Sequence, residues 1–294
     1  MHLQSTELSG GRIVFGDPAA SDACGVRFGF ISRLGGVSSS PYASLNLSDA
    51  TGDDLSCVRR NRMLALEAIG AGDDAASLIV PKQVHGDDIV VVGGSGGEDV
   101  ARARNRAESG ADAVVCTHAG VPVMLCFADC VPVILVAPSG GFAVVHSGWR
   151  GALAGIAGKA LGVLARESGS AASECFAFIG AHIRSCCFEV SVDVAERFVS
   201  RWGSACLAAG EEDSLDGDGG VEGSGSRTGD EGREGGVHLA LEAVVRASLA
   251  EAGADPSRIA SCGVCTSCNT DTWFSHRAEH GLTGRHGALA YIPR

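Results

Sequence analysis

Short apolar runs alternate with amphipathic stretches along this chain. Runs at 12–15, 26–31, 78–80, 89–92, 113–116, 121–127, 132–137, 142–146, 176–179, 259–264 and 289–292 are often β-branched and bounded by Gly, Pro or Asp, which predicts strands. Apolar residues at helical spacing predict helices at 54–69, 152–166, 192–202 and 239–252. The second places Leu153, Ile156, Leu161 and Leu164 on one face, and the last does so with Leu241, Val244, Val245 and Leu249. Strands outnumber helices and do not alternate strictly with them. The pattern therefore predicts an α+β fold with mixed sheets rather than a doubly wound one.

One stretch breaks the pattern. Residues 211–236 hold nine acids, two arginines and nine glycines, with Leu215 and Val221 as the sizeable aliphatics. Such a segment cannot bury enough apolar surface to offset its ordering entropy, so it is expected to be a flexible acidic Gly-rich insertion. It carries −7 of the formal −12 charge, leaving about −5 for the rest. Sequence on both sides looks folded, so a single domain spanning 1–294 is expected, with the insertion interrupting it.

The 294 residues, 45% apolar, are ample for a packed core. Net acidity argues against nucleic-acid and anionic-membrane partners, which recruit Lys and Arg clusters. The most apolar region, 113–138, is interrupted by His118, Pro122, Asp129 and Pro132 and does not suit a membrane span. Residues 1–11 have neither a basic start nor an apolar core, so no secretory signal is expected and a cytoplasmic location is. In such a protein most of the twelve cysteines, Cys116, Cys126 and Cys175 among them, are expected to be buried thiols.

The strongest local constellation is ADC at 128–130 followed by HSGWRG at 146–151. Cys130 follows a strand-like run and precedes Pro132, which is expected to end or offset pairing. His146 ends another run before a Gly-bounded turn into a helix, and Arg150 at that helix start can clamp a phosphate or carboxylate. His85, in KQVHGD, is a third candidate. Two histidines and a cysteine suit zinc with an open fourth position. Spacings of 45 and 16 residues do not show that they converge. The same residues also permit a buried thiol with two core histidines, or a Cys130–His146 nucleophile pair. Asp129 would raise the neighbouring thiol's pKa unless it orients the histidine instead. Cys262, Cys265 and Cys268 form a C-x2-C-x2-C run without a fourth ligand in a standard spacing, and are expected to be ordinary thiols. Cys186 and Cys187 are expected to be two free thiols, since a disulfide between neighbours would be strained. Arg33, in SRLGGVS, precedes a glycine pair suited to a turn around a ligand.

Taken together the segments FGFISRLGGVSSSPYASLNLS (28–48), KQVHGDDIVVV (82–92), ADAVVCT (111–117), ADCVPVIL (128–135), VVHSGWRGALAGI (144–156), IGAHIRSCCFEV (179–190) and CTSCNTDTWFSHRAEHGLTGR (265–285) resemble the laccase-domain (YfiH-type) family. That family has been described both as multicopper polyphenol oxidoreductases and as purine nucleoside phosphorylases. The resemblance implies a single-domain layered α/β/β/α fold and a zinc site formed by His85, Cys130 and His146. It also implies catalytic parts for Arg33, Cys130 and His146 and substrate-binding parts for Asn46, Lys82, Gln83 and Arg150. The chain departs from the family pattern at Trp273, His276–Arg277, Ala181 and Ala240, the last standing where an acid is usual.

The implied activity is zinc-dependent phosphorolysis of inosine, guanosine, adenosine or methylthioadenosine, with phosphate as co-substrate bound by Arg33 and Arg150, and adenosine deamination at the same centre. Copper-dependent polyphenol oxidation is an alternative, although nine scattered histidines without an H-x-H pair do not suit a multicopper site. A peptidoglycan-precursor editing amidase and a metal-free Cys–His hydrolase are the others.

Overall fold

The structure, a computed structural model, describes residues 2–93, 97–208 and 236–294. The acidic stretch at 211–236 therefore lies outside the described residues except for Gly236. No helix among the described residues is long and apolar enough to cross a membrane.

Among the described residues, thirteen strands and seven α-helices follow in chain order: β1 (Gln4–Leu8), β2 (Arg12–Gly16), α1 (Pro18–Cys24), β3 (Arg27–Ile31), α2 (Leu55–Ala68), β4 (Ile89–Val92), α3 (Gly97–Ser109), β5 (Ala113–Cys116), β6 (Val123–Phe127), β7 (Val131–Ala137), β8 (Gly141–Ser147), α4 (Trp149–Leu153), α5 (Ile156–Ser168), β9 (Phe176–Ile179), β10 (Glu189–Val190), α6 (Val192–Trp202), β11 (Val237–His238), α7 (Leu241–Glu251), β12 (Ile259–Ser261) and β13 (His286–Tyr291). A five-stranded antiparallel sheet has the order β1-β2-β3-β13-β6. A six-stranded mixed sheet has the order β12-β9-β7-β8-β5-β4, parallel at its two edges and antiparallel between.

Apolar side chains sort these elements into four layers. Phe28, Phe30, Leu125, Ile134, Val144 and Phe178 meet between the two sheets. The other face of the mixed sheet takes Ile156, Leu161 and Leu164 of α5 and Val244, Val245 and Leu249 of α7. The other face of the antiparallel sheet takes Leu64, Ala65 and Leu66 of α2. Helix, sheet, sheet and helix is the α/β/β/α arrangement that the resemblance implies, within the α+β class that the patterning predicts. Buried on both faces, the inner strands read as unbroken apolar runs.

Several boundaries differ from expectation for local reasons. The helix expected over 152–166 is two, because Gly155 (φ 75°) adopts a left-handed conformation that ends α4 and starts α5 in a new direction. The run at 78–80 is no strand; within it only Ile79 bridges, to Val123. Pro132 lies inside β7, paired with His146, so pairing with β8 does not end there; the missing N–H is tolerated because β9 joins only from Val133.

Four neighbouring strands of the mixed sheet end on one side of the molecule. His85 precedes β4, Asp112 precedes β5, His146 closes β8 and Cys130 precedes β7. The C-terminal end of β6 and the start of β13, paired through Phe127 and His286, reach the same side.

Candidate metal centre and cleft

His85, Cys130 and His146 come together at those strand ends, with their ligand atoms all within 4.8 Å of one another. Cys130 and His146 arrive through the β7–β8 hairpin, where Val131 faces Ser147 and Pro132 faces His146. His85 arrives from the loop before β4, and its ring stands edge-on to that of His146 with centroids 4.8 Å apart.

Two turns carry ligands in left-handed backbone: His85 has φ 59° and Asp129, next to Cys130, has φ 89°. For residues other than glycine this costs on the order of 1–3 kcal/mol each. A buried carboxylate offsets the cost in each turn. Asp112, fully buried, accepts from the backbone N–H of Val84, His85 and Gly86 at 3.3, 3.0 and 2.7 Å. Asp129 accepts from Thr266 Oγ1, Ser275 Oγ and the Arg277 N–H at 2.7, 2.8 and 2.7 Å. Asp129 thus anchors the 266–277 loop and does not orient the histidine.

That task falls to Asp112, whose Oδ1 lies 2.7 Å from His146 Nδ1 and leaves Nε2 for the centre. Sequence reasoning passed over Asp112. Its signal is a lone acid heading a strand buried at all four positions, where an unpaired carboxylate would not be kept.

Burial alone would push the Cys130 thiol up, but the His146 charge and hydrogen bonds from both histidines outweigh it and hold the pKa at about 6. Burial alone would lower His146, and the Cys130 thiolate with Asp112 instead raises it to about 9. Burial would also lift Asp112, and His146 with the backbone donors brings it below the usual carboxylate range.

The donor set fits a metal. One thiolate and two imidazoles are borderline-soft ligands typical of zinc. Gly148 leaves the space beside them open: a Cβ there would stand 3.0 Å from His85 Cδ2, 3.3 Å from Cys130 Sγ and 3.4 Å from His146 Cε1.

His85 lies on the wall of a cleft of about 790 Å³, shared with Lys82, Gln83, Arg62, Arg104 and Arg285. Asp49, 3.2 Å from Arg62, and Glu108 are the acids on this wall. Gln83 pins the His85 loop to β6, its Nε2 donating to the Cys126 carbonyl at 2.8 Å and its Oε1 accepting from the Cys126 N–H at 2.9 Å. Asn46 is fully buried; it ties Ser48, Thr51 and Asp53 together and accepts from the Arg285 N–H at 2.9 Å.

Arg33 lies elsewhere, in a pocket with Ser44, Thr270, Asp271 and Glu279. Its Nε donates to the Ala43 carbonyl at 3.0 Å, and its Nη1 donates to Thr270 O at 2.6 Å and to Glu279 at 2.9 Å. Arg150 is exposed and stacks on Trp149, 4.3 Å from the ring centroid.

The family model described as multi-copper polyphenol oxidoreductase laccase matches residues 27–293. The chain belongs to this family. Purine nucleoside phosphorylase YlmD of Geobacillus stearothermophilus is 34% identical over 271 residues, covering 90% of this chain and 89% of the relative. The crystal structure of YlmD from that organism superposes with a TM-score of 0.78 at 29% identity, covering 99% and 100% of the two chains. A Bacillus licheniformis hypothetical protein, YfiH, gives 0.79 at 26% identity, covering 98% of each. Of the departures from the family pattern, Trp273 is buried against Phe15 and His286, while Arg277 donates to the Cys187 and Glu189 carbonyls.

Proposed function

We propose that the cleft is the active site of a zinc-dependent purine nucleoside phosphorylase. The supporting observation is the His85, Cys130 and His146 donor set beside a wall bearing four cations, Arg62, Lys82, Arg104 and Arg285. Its volume is in the range of small-molecule sites, roughly 300–1,000 Å³. The name given to the Geobacillus relative points to the same chemistry.

In phosphorolysis a phosphate oxygen attacks the anomeric carbon, the N-glycosidic bond breaks, and its electron pair leaves with the purine, which takes up a proton. The four cations would bind phosphate and orient it for that attack. They take the part that the resemblance gives to Arg33 and Arg150. Arg33 would instead hold the loop through Thr270 and Glu279, and Asn46 and Gln83 would act as positioning residues for Arg285 and His85. Zinc held by His85, Cys130 and His146 would supply Lewis-acid stabilisation of negative charge in the reacting group. Asp112 would keep Nε2 of His146 turned to the centre. All nine histidines lie within the described residues, and only two join the centre, too few for the clustered sites of a multicopper oxidase.

A second reading has its own observation. Asp112, His146 and Cys130 also form the acid–base–thiol series of a cysteine hydrolase, with the thiol ionised at neutral pH.

Metal analysis paired with phosphate-dependent release of base from inosine and adenosine, and of ammonia from adenosine, tests the proposal. Zinc together with phosphorolysis, both lost in Cys130→Ala, is the expected result; ammonia release would add deamination. Zinc-loaded protein that releases no base overturns the phosphorylase. Ester or amide hydrolysis that survives chelation and ends on Cys130 alkylation would establish the hydrolase instead.

A further inference from the structure

Four more cysteines gather away from the cleft residues. Cys186 and Cys187 follow β9, and Cys265 and Cys268 follow β12, the parallel neighbour of β9. All four Sγ atoms lie within 4.8 Å of one another. Cys268 Sγ is 3.7 Å from Cys186 Sγ and 3.4 Å from Cys187 Sγ. Cys262, the first member of the C-x2-C-x2-C run, is not in the group. The sequence lacked a fourth ligand because the missing sulfurs come from a segment about 80 residues earlier, carried there by the β9–β12 pairing.

We propose that Cys186, Cys187, Cys265 and Cys268 form a tetrathiolate site for a structural zinc ion. Tetrahedral zinc with Zn–S bonds of about 2.3 Å separates its sulfurs by about 3.8 Å, close to the spacings observed. A disulfide would need about 2.05 Å. Four soft donors with no water-bearing position make a closed site, in contrast to the His2Cys centre. The two loops are already aligned without the metal. His182 bridges Cys265, the His182 N–H donates to Val264 O at 3.2 Å, and the Thr266 N–H donates to His182 O at 3.0 Å. The Arg184 N–H donates to Cys265 Sγ at 3.4 Å, as backbone amides do to metal-bound thiolates. A zinc tetrathiolate is anionic, and the Arg184 and Arg277 guanidiniums, bonded to the Gly263 and Cys187 carbonyls, lie on the two cysteine-bearing loops.

The ion would staple the chain immediately before Thr266, which bonds Asp129 beside Cys130. It therefore fixes the loop that braces the cysteine ligand of the first centre without entering that centre.

The full chain with Cys130→Ala and His85→Ala, which dismantle the first centre, isolates the question. After purification from zinc-supplemented cells it should retain one zinc per chain, with an X-ray absorption spectrum of four sulfur ligands. Adding Cys265→Ser and Cys268→Ser should remove that equivalent and speed amide exchange over 263–275. If the quadruple variant does not fold, the absorption spectrum of the first variant decides. A metal-free first variant, nitrogen or oxygen in the zinc shell, or an intact mass two hydrogens lower from a Cys187–Cys268 disulfide would each overturn the proposal.

Discussion

The Cys130 thiolate and Asp112 both favour a proton on His146 against the pull of burial, and the outcome is a proton moved rather than lost. In the metal-free protein Cys130 falls from 9.0 to about 6 and His146 rises from 6.5 to about 9. Taken alone, the thiolate contributes stability that is complete above pH 9.0 and lost as pH falls through about 6. The imidazolium contributes stability that is complete below pH 6.5 and lost as pH rises through about 9. Between 6.5 and about 9 the pair holds one proton in either state, on the ring when folded and on sulfur when unfolded. The pair therefore adds almost no slope to stability in that window. Reactivity reports it instead: alkylation of Cys130 in chelator-treated protein, followed by peptide mass, should have a midpoint near pH 6. Asp112→Asn should move the midpoint upward and weaken zinc binding by about 10–100-fold; an unchanged midpoint would mean that Asp112 does not support the imidazolium. Gly148→Ala tests the open space beside the ligands. Its φ of −67° and ψ of 166° accept alanine, so stability should fall by only about 1 kcal/mol, while the new methyl crowds all three ligands and zinc content drops.

At the scale of elements, what sequence patterning disclosed depended on how wide an apolar stripe each segment carries. Strands β4, β5 and β9 match their predicted ends because each is an unbroken apolar run, and helix α6 does so because Val194, Ala195, Phe198, Val199 and Trp202 make a stripe of apolar side chains at helical spacing. Helix α3 escaped notice because GEDVARARNRAES buries only a narrow line, Ala103 and Ala107. Helix α1 is too short for periodicity, although its signals were present: Asp17 caps the Ala20 N–H and Pro18 opens the first turn. Strand β1, QSTEL, is polar and exists through pairing with β2. The candidate ligands were legible as residue types, but their convergence was not, because it depends on the order β7-β8-β5-β4 in the sheet. One helix end is improvable. Ala240 begins α7 without a side-chain cap, where the family commonly has an acid. Ala240→Asp should stabilise the fold by about 0.5–2 kcal/mol, read as a higher urea midpoint with an unchanged slope; a lower midpoint would show that the side chain cannot reach the first-turn amides.

For the whole molecule, the chain on either side of 209–235 is joined independently of that stretch. Leu207 bridges Leu239, and the Ala208 N–H donates to the His238 carbonyl at 2.9 Å. Replacing 209–235 by a five-residue linker should preserve zinc content and turnover and change the formal charge from −12 to −5. Shortening the closed loop should also stabilise the fold by up to about 1.5 kcal/mol. Loss of turnover in a folded product would assign the acidic stretch a part in function. The register of the β7–β8 hairpin fixes which face of the sheet His146 takes. Because Pro132 faces His146 and side chains alternate along a strand, a slip of one residue would turn the imidazole to the opposite face of the sheet. A mispaired hairpin could not assemble the ligand set with Cys130 and His85. On the proposed function, metal uptake would then report strand alignment, since only correctly paired molecules could be loaded.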